Sequence, residues 1–228
     1  IHLKINTGMN RLGFPPSKVK SLIQSLEKSP YIGNIILMTH FANADEAIGV
    51  RDQLALFNKV VDDSFDRSVA NSAAIIRYPE THMEWVRPGI MLYGASPFED
   101  QSSQDIGLQP VMSLHSNIIA VQNLDKGQSV GYGSTFVATN KTRVGIVACG
   151  YADGYPRHAP SGTPIMVAGK ISRTLGRVSM DMLYVDLTDI PSADIHSEVE
   201  LWGANISVDE VAKEAKTVGY ELLCAISS

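Results

Sequence analysis

The chain has 228 residues, 44% of them hydrophobic and 19% charged, with a formal net charge of -5. That is an ordinary globular balance, long enough to bury a core in one large domain or two modest ones. The acidic balance, with no lysine-arginine run, excludes the basic face that nucleic acid needs, and no apolar stretch approaches the ~20 residues of a membrane span.

Residues 1–6 alternate apolar and polar, with Ile1, Leu3 and Ile5 on one side and His2, Lys4 and Asn6 on the other, so they predict a strand. The start at Ile1, inside that strand-like run and without methionine, predicts that a segment of the natural protein precedes it. A glycine-bearing loop follows, and Pro15-Pro16-Ser17 opens a helical pattern through Leu26. Residues 35–40 read as a second strand. Asp45 begins a long helix carrying Ile48, Leu54, Phe57 and Val61. A third strand is expected over 68–72, a short helix over 73–76, and a fourth strand over 84–87. Pro88 then stands where a helix favours proline, at the first position.

This β-α order implies a parallel sheet with helical crossovers. The expected fold class is therefore α/β plus all-β. If these strands belong to a TIM-type (β/α)8 barrel, residues 1–105 supply its C-terminal half, and residues 106–228 form a strand-rich domain. Full closure needs four more β/α units before Ile1, on the order of a hundred residues. In the second half, glycine-rich turns separate seven strand candidates: 112–122, 129–137, 142–149, 163–169, 171–178, 182–187 and 198–202. A single closing helix, 207–217, has Ser207 and Glu210 spaced for a capping box. The two cysteines, Cys149 and Cys224, lack metal-ligand spacing and read as buried thiols of a reducing compartment. No metal is expected.

Chemistry concentrates where strands give way to loops. Lys4 shares a strand face with Asn6. In a barrel that face points inward, where an unpaired lysine is costly; on an edge strand it simply meets water. Arg11 lies in the loop after this strand, at the end where barrel enzymes keep their sites. His40 ends the second strand beside Asp45 and Glu46, either as a hydrogen-bonded bystander or as a group titrating near neutrality. Ser72 and the run Arg87-Pro88-Gly89-Ile90 stand at two helix starts, which suit a phosphate and equally suit plain caps. Gly131-Tyr132-Gly133 places a tyrosine between glycines at a hairpin tip, either simply exposed or approached closely by another surface. The loops 150–157 and 176–182 are similarly rich in glycine and charge.

Together these segments resemble the alanine racemases, isomerases that use pyridoxal phosphate. The resemblance rests on HLKINTGMNRLG at 2–13, THFANADE at 39–46, VANSAA at 69–74 and WVRPGIMLYG at 85–94. It continues through VGYGSTF at 130–136, GYADGYPR at 150–157, GRVSMDM at 176–182 and ELWG at 200–203. It implies interconversion of L- and D-alanine by two bases, supplying D-alanine for peptidoglycan in the cytoplasm. It also implies a head-to-tail homodimer with shared active sites, and no membrane or nucleic-acid partner.

By resemblance Tyr132 is the base supplied across the dimer, His40 its hydrogen-bonding neighbour, and Arg87 the partner of the pyridine nitrogen. Arg11 meets the cofactor's phenolic oxygen and the substrate carboxylate. Ser72, Gly89 and Ile90 bind the phosphate, and Met180 offers a backbone contact to the substrate carboxylate. Tyr151, Arg157, Arg177 and Asp45 wall the substrate access channel. Lys4 matches a lysine that some members carbamylate. The family's Schiff-base lysine lies on the first barrel strand, and no lysine here inherits that role. A tyrosine touching the phosphate in many members aligns with Ser228. Three rivals remain: a racemase of another small amino acid, a non-catalytic pyridoxal-phosphate-binding protein, and a related decarboxylase. The half from Val111 onward argues against the carrier, and Arg87, in place of an acid, argues against the decarboxylase.

Overall fold

A computed structural model describes residues 1–226, so the alignment at Ser228 lies outside the described residues. The chain divides into two compact units, Ile1–Leu92 with Pro97–Asp100, and Tyr93–Ser96 with the chain from Gln101 onward.

In the first unit, β1 (His2–Lys4), β2 (Ile36–Met38) and β3 (Asp66–Ser68) form a parallel sheet in chain order. Its register pairs His2 with Ile36 and Ile36 with Asp66. Helices α1 (Val19–Leu26), α2 (Arg51–Val60) and α3 (Ser72–Arg77) follow these strands in turn, as parallel connections require. The alternation read in the sequence holds for Leu3 and Ile5, which are buried, but not for Ile1, which is exposed; Leu37 is buried beside them, each buried side chain stabilising the sheet by roughly 2 kcal/mol. Phe57 and Gln53, four residues apart on one face of α2, are buried together.

Four expectations are corrected in this unit. Residues 42–48 run as bends and turns, not helix. Gly49 explains the delay, because its left-handed φ of 68° precedes the helix and a Cβ there would come 2.6 Å from the Tyr78 hydroxyl. β3 ends at Ser68, so residues 69–71 are not strand; Asn71 instead caps α3 by accepting from the Ala74 N–H at 3.0 Å. The fourth strand reduces to one bridge between Ser68 and Trp85. The helical turn after Pro88 begins at Ile90, so the proline precedes it.

In the second unit, among the described residues, six strands close an antiparallel barrel. They are β4 (Leu114–Leu124), β7 (Thr142–Val147), β8 (Pro164–Val167), β9 (Lys170–Leu175), β10 (Leu183–Asp186) and β11 (Glu198–Trp202), in the order β10-β7-β4-β11-β8-β9. The β9–β10 pair completes the ring. Inside lie Ile118, Val147, Ile165, Val185, Val199 and Leu201, all fully buried. Residues 129–137 form a short hairpin, β5 (Ser129–Val130) and β6 (Phe136–Val137), around a helical turn at Tyr132–Ser134.

Ser207 caps α4 (Val208–Glu214) by accepting from the Asp209 N–H. The expected box does not form, since Glu210 instead gives its N–H to the Ser207 carbonyl. The chain does not close on that helix: α5 (Gly219–Ala225) follows. It escapes sequence reading because it is short, starts on glycine and has no capping side chain. Cys149 is buried, but Cys224 is exposed, standing about 200° around α5 from buried Leu222. Among the described residues, no helix is long and apolar enough to cross a membrane.

Candidate active site

In the first unit Lys4, Arg11 and His40 stand together where the parallel strands end. Lys4 is the last residue of β1, and His40 lies two residues beyond β2. One hollow there is lined by Lys4, Asn6, Thr7, Arg11, Thr39 and His40 among others. Among the described residues its lining includes no carboxylate, so it offers an electropositive receptor for an anion.

Arg87 reaches His40 from the segment after β3. Its Nη1 donates to the Ser68 carbonyl (2.6 Å) and hydroxyl (2.8 Å). Nη2 donates to the Thr39 carbonyl (2.7 Å), with longer contacts to Val69 O and His40 Nδ1, each 3.4 Å. A guanidinium cannot accept, so His40 Nδ1 is the acceptor and the imidazole proton sits on Nε2. Burial, then Arg87, Arg11 and Lys4, hold His40 below its ordinary pKa. It is therefore a neutral imidazole surrounded by cations. Burial also lowers Arg87, yet its guanidinium stays charged near neutrality. Among the described residues the Arg87 Nε–H meets no acceptor, so one directed donor is left over.

Ser72 is buried at the start of α3, and its hydroxyl oxygen accepts from the Gly89 N–H at 2.7 Å. The Gly89 amide is thus already engaged, but the Ser72 hydroxyl hydrogen remains to be donated. A Cβ on Gly89 would find only Ser72 Oγ near it, at 3.6 Å, so the surface over this pair is open. Ile90 begins the next helical turn and is buried. Asp45 is exposed, and its carbonyl accepts from Arg77 at 2.7 Å.

The second unit carries the remaining candidates. Tyr132 is 73% exposed. Gly131 and Gly133 take φ of 77° and 74°, where a Cβ would come 2.9 Å from the Tyr184 ring and 3.2 Å from Arg177 Nη1 respectively. Glycine at both places lets Tyr184 and Arg177 pack against the turn while the tyrosine projects. The two glycine-rich loops are laced together by backbone: Tyr151 N–H donates to Ser179 O (3.1 Å) and Ala152 N–H to Met180 O (3.0 Å). Gly150 lies directly beneath, where a Cβ would fall 2.2 Å from Met180 O. Met180 is 54% exposed, and among the described residues its N–H meets no acceptor. Arg157 sits 5.8 Å over the Tyr151 ring, within cation–π range.

The structure therefore joins Lys4, Arg11, His40 and Arg87, joins Ser72 with Gly89, sets Arg177 beside the Tyr132 turn, and pairs Tyr151 with Arg157. Sequence reading missed the polar residues behind His40, namely Thr7, Thr39 and Gln53. The available signal was Gln53 itself, a polar residue one helical turn before the apolar Phe57.

The family profile described as "Alanine racemase, N-terminal domain" matches residues 1–97, and "Alanine racemase, C-terminal domain" matches residues 111–228. The chain belongs to the alanine racemase family. It is 54% identical over 229 aligned residues to an alanine racemase of Burkholderia mallei strain SAVP1, covering 100% of this chain and 64% of that protein. An alanine racemase of Nitrosospira multiformis is 53% identical, with 100% and 65% covered. Among solved structures, the biosynthetic alanine racemase of Pseudomonas aeruginosa superposes with a TM-score of 0.95 at 48% identity, covering 100% of this chain and 64% of that one. The alanine racemase of Acinetobacter baumannii gives 0.93 at 42% identity, again over 100% and 64%. The chain thus spans about two thirds, slightly less, of the length of the alanine racemases it matches.

Proposed function

We propose that the complete protein is an alanine racemase, a pyridoxal-phosphate enzyme interconverting L- and D-alanine and feeding D-alanine to peptidoglycan in the cytoplasm. The observation that carries this reading is the 54% identity, sustained over the whole chain, with proteins named alanine racemase. On this reading residues 1–105 are the C-terminal half of an eight-stranded β/α barrel that holds the cofactor. Residues 106–228 are the β domain.

The residues present suit the cofactor. The buried Ser72 hydroxyl has a hydrogen to give to a phosphate oxygen, beside Gly89 and Ile90. Arg87, with both terminal nitrogens held by protein acceptors, keeps Nε–H for the pyridine nitrogen. Arg11, beside Lys4 and His40, supplies charge for the phenolic oxygen and for the substrate carboxylate. Lys4, carbamylated, would become an anion able to pair with Arg11. When bound, the cofactor delocalises the electrons left when the Cα proton departs. Arg87 does not give up its proton near neutrality, so it donates to the ring nitrogen without protonating it. This limits that delocalisation and suppresses side reactions.

Racemisation removes a proton from one face of Cα and returns one to the other. The Tyr132 phenol takes and gives the proton on the face met by L-alanine. It does so for the partner's site, in a head-to-tail homodimer, with His40 as its hydrogen-bonding neighbour there. The opposite base is a lysine that we assign to none of this chain's residues. The Met180 N–H holds the substrate carboxylate, and Tyr151, Arg157, Arg177 and Asp45 narrow the access channel.

The test is D-alanine formation from L-alanine by the full-length protein with added cofactor, run beside a panel of other L-amino acids. Turnover greatest with alanine is expected. Racemisation of a different amino acid alone would identify another racemase. Cofactor binding without turnover of any substrate would leave a carrier protein.

A further inference from the structure

The hydrogen bonds behind His40 have a direction, and it leaves the Gln53 side chain one orientation. A carbonyl can only accept and a backbone N–H can only donate. Gln53 Nε2 donates to the His40 carbonyl at 3.1 Å, and Oε1 accepts from the Ala42 N–H at 2.8 Å. Reversing the amide would oppose like groups at both ends. The chain of donors continues away from the helix. The Thr39 hydroxyl donates to the Ile5 carbonyl at 2.9 Å. Its hydrogen is spent there, so the Thr7 hydroxyl supplies the one shared between the two threonines, 2.7 Å apart. Thr7 Oγ1 in turn accepts the second amide hydrogen of Gln53 at 3.3 Å.

Every polar atom of the Gln53 amide is therefore used, in a place that is 9% exposed for Gln53, 5% for Thr7 and 1% for Thr39. A buried amide so satisfied adds little net stability over an apolar side chain of the same shape. What it adds is direction. The objects it directs are Thr39 and His40, two of the three residues that Arg87 Nη2 touches. The groups acting on His40 electrostatically are Arg87, Arg11 and Lys4, all cations, so repulsion alone would drive a protonated His40 outward.

We propose that Gln53 is a positioning residue for the His40–Arg87 pair, its buried amide fixing the peptide on either side of Phe41 and hence the place where imidazole and guanidinium meet. Its effect on turnover rests on the racemase reading; its effect on the pair does not. The experiment uses the full-length protein with cofactor, labelled with ring-¹³C histidine, the His40 signal being identified by its loss in His40→Asn. Gln53→Met keeps the volume and removes the directed donors and acceptor. Gln53→Glu keeps the shape and, once ionised, sets a carboxylate oxygen against the His40 carbonyl.

In both variants the His40 titration midpoint should rise toward about 6.5 as the ring leaves its seat. The turnover number should fall on the order of tenfold, as expected for a small misplacement, while KM for alanine stays within about twofold. A His40 midpoint unmoved in a folded variant overturns the proposal, even where the melting temperature falls, because a merely space-filling residue would lower stability alone. If Gln53→Met does not fold, Gln53→Glu decides by the same midpoint. If the unmodified protein racemises nothing, the racemase reading fails while the midpoint still decides the positioning.

Discussion

Arg87 and Tyr132 present their polar groups in opposite ways. Arg87 is half-buried and makes five contacts, to Ser68, Thr39, Val69 and His40. Tyr132 stands 73% exposed on a turn freed by two glycines. Removing donors in the first unit strands backbone carbonyls away from water, which costs stability. Removing the phenol hydroxyl strands nothing. The first unit holds its Arg87 charge against its own backbone, whereas the second leaves Tyr132 projecting from its turn. Stability and reactivity should therefore be coupled at Arg87 and separable at Tyr132.

The largest expected effect is at the exposed residue. Tyr132→Phe should lower racemisation by ~10²–10⁴-fold, the usual worth of a general base. Folding stability should stay within about 0.5 kcal/mol of the unmodified protein. Turnover must fall in both directions, since the enantiomers are equal in energy. Exchange of the Cα proton into deuterated water should nonetheless persist from D-alanine and collapse from L-alanine. Normal exchange from both would make Tyr132 an ordinary hairpin residue and erase the contrast.

At Arg87 both quantities should move. Lysine has no rigid fork to span Ser68 O and Thr39 O while offering a third donor. Arg87→Lys should cost about 2–3 kcal/mol in urea denaturation and reduce turnover in parallel. A loss of rate with unchanged stability would show that the guanidinium contacts are not under load.

The smallest effect sharpens the comparison through pH. His40 has its folded pKa depressed by burial and by Arg87, Arg11 and Lys4, so the unfolded chain takes up the proton first as pH falls. The stability carried by neutral His40 is complete above the unfolded value of about 6.5 and is lost as pH falls through the window below it. Stability thus rises with pH there. His40→Asn should flatten that slope in urea midpoints measured from about pH 7 to about pH 5. An identical slope would mean that the cations do not act on the ring.

Local signals were legible where apolar residues stood between clear strand breakers. The run Thr142–Val147 was placed within two residues because Val144 and Val147, on opposite faces of the strand and both buried, stand amid polar and glycine punctuation. Barrel closure was not legible, since pairings such as β9 with β10 join strands by contacts no local pattern encodes. The strand expected at 84–87 had the right residues but only one bridge to pair with. The helix expected from Asp45 failed on one backbone angle at Gly49. The candidate site residues could be named from their motifs, yet the contact of Arg87 with Thr39, 48 residues apart, could not. Neither could the polar chain behind it, because burial of Gln53 is a tertiary fact.

On the racemase reading, the seat of Gly150 bears on how the site can be remade. A Cβ there would lie 2.2 Å from Met180 O and 2.4 Å from Ser179 O, both atoms of the backbone, with no side chain free to swing aside. A library aimed at bulkier substrates therefore gains nothing from randomising position 150. Its neighbours Tyr151 and Met180, whose side chains are 37% and 54% exposed, can vary without disturbing the seam that holds the two loops together. Evolvability in this region is set residue by residue, with a closed position sitting directly under two open ones.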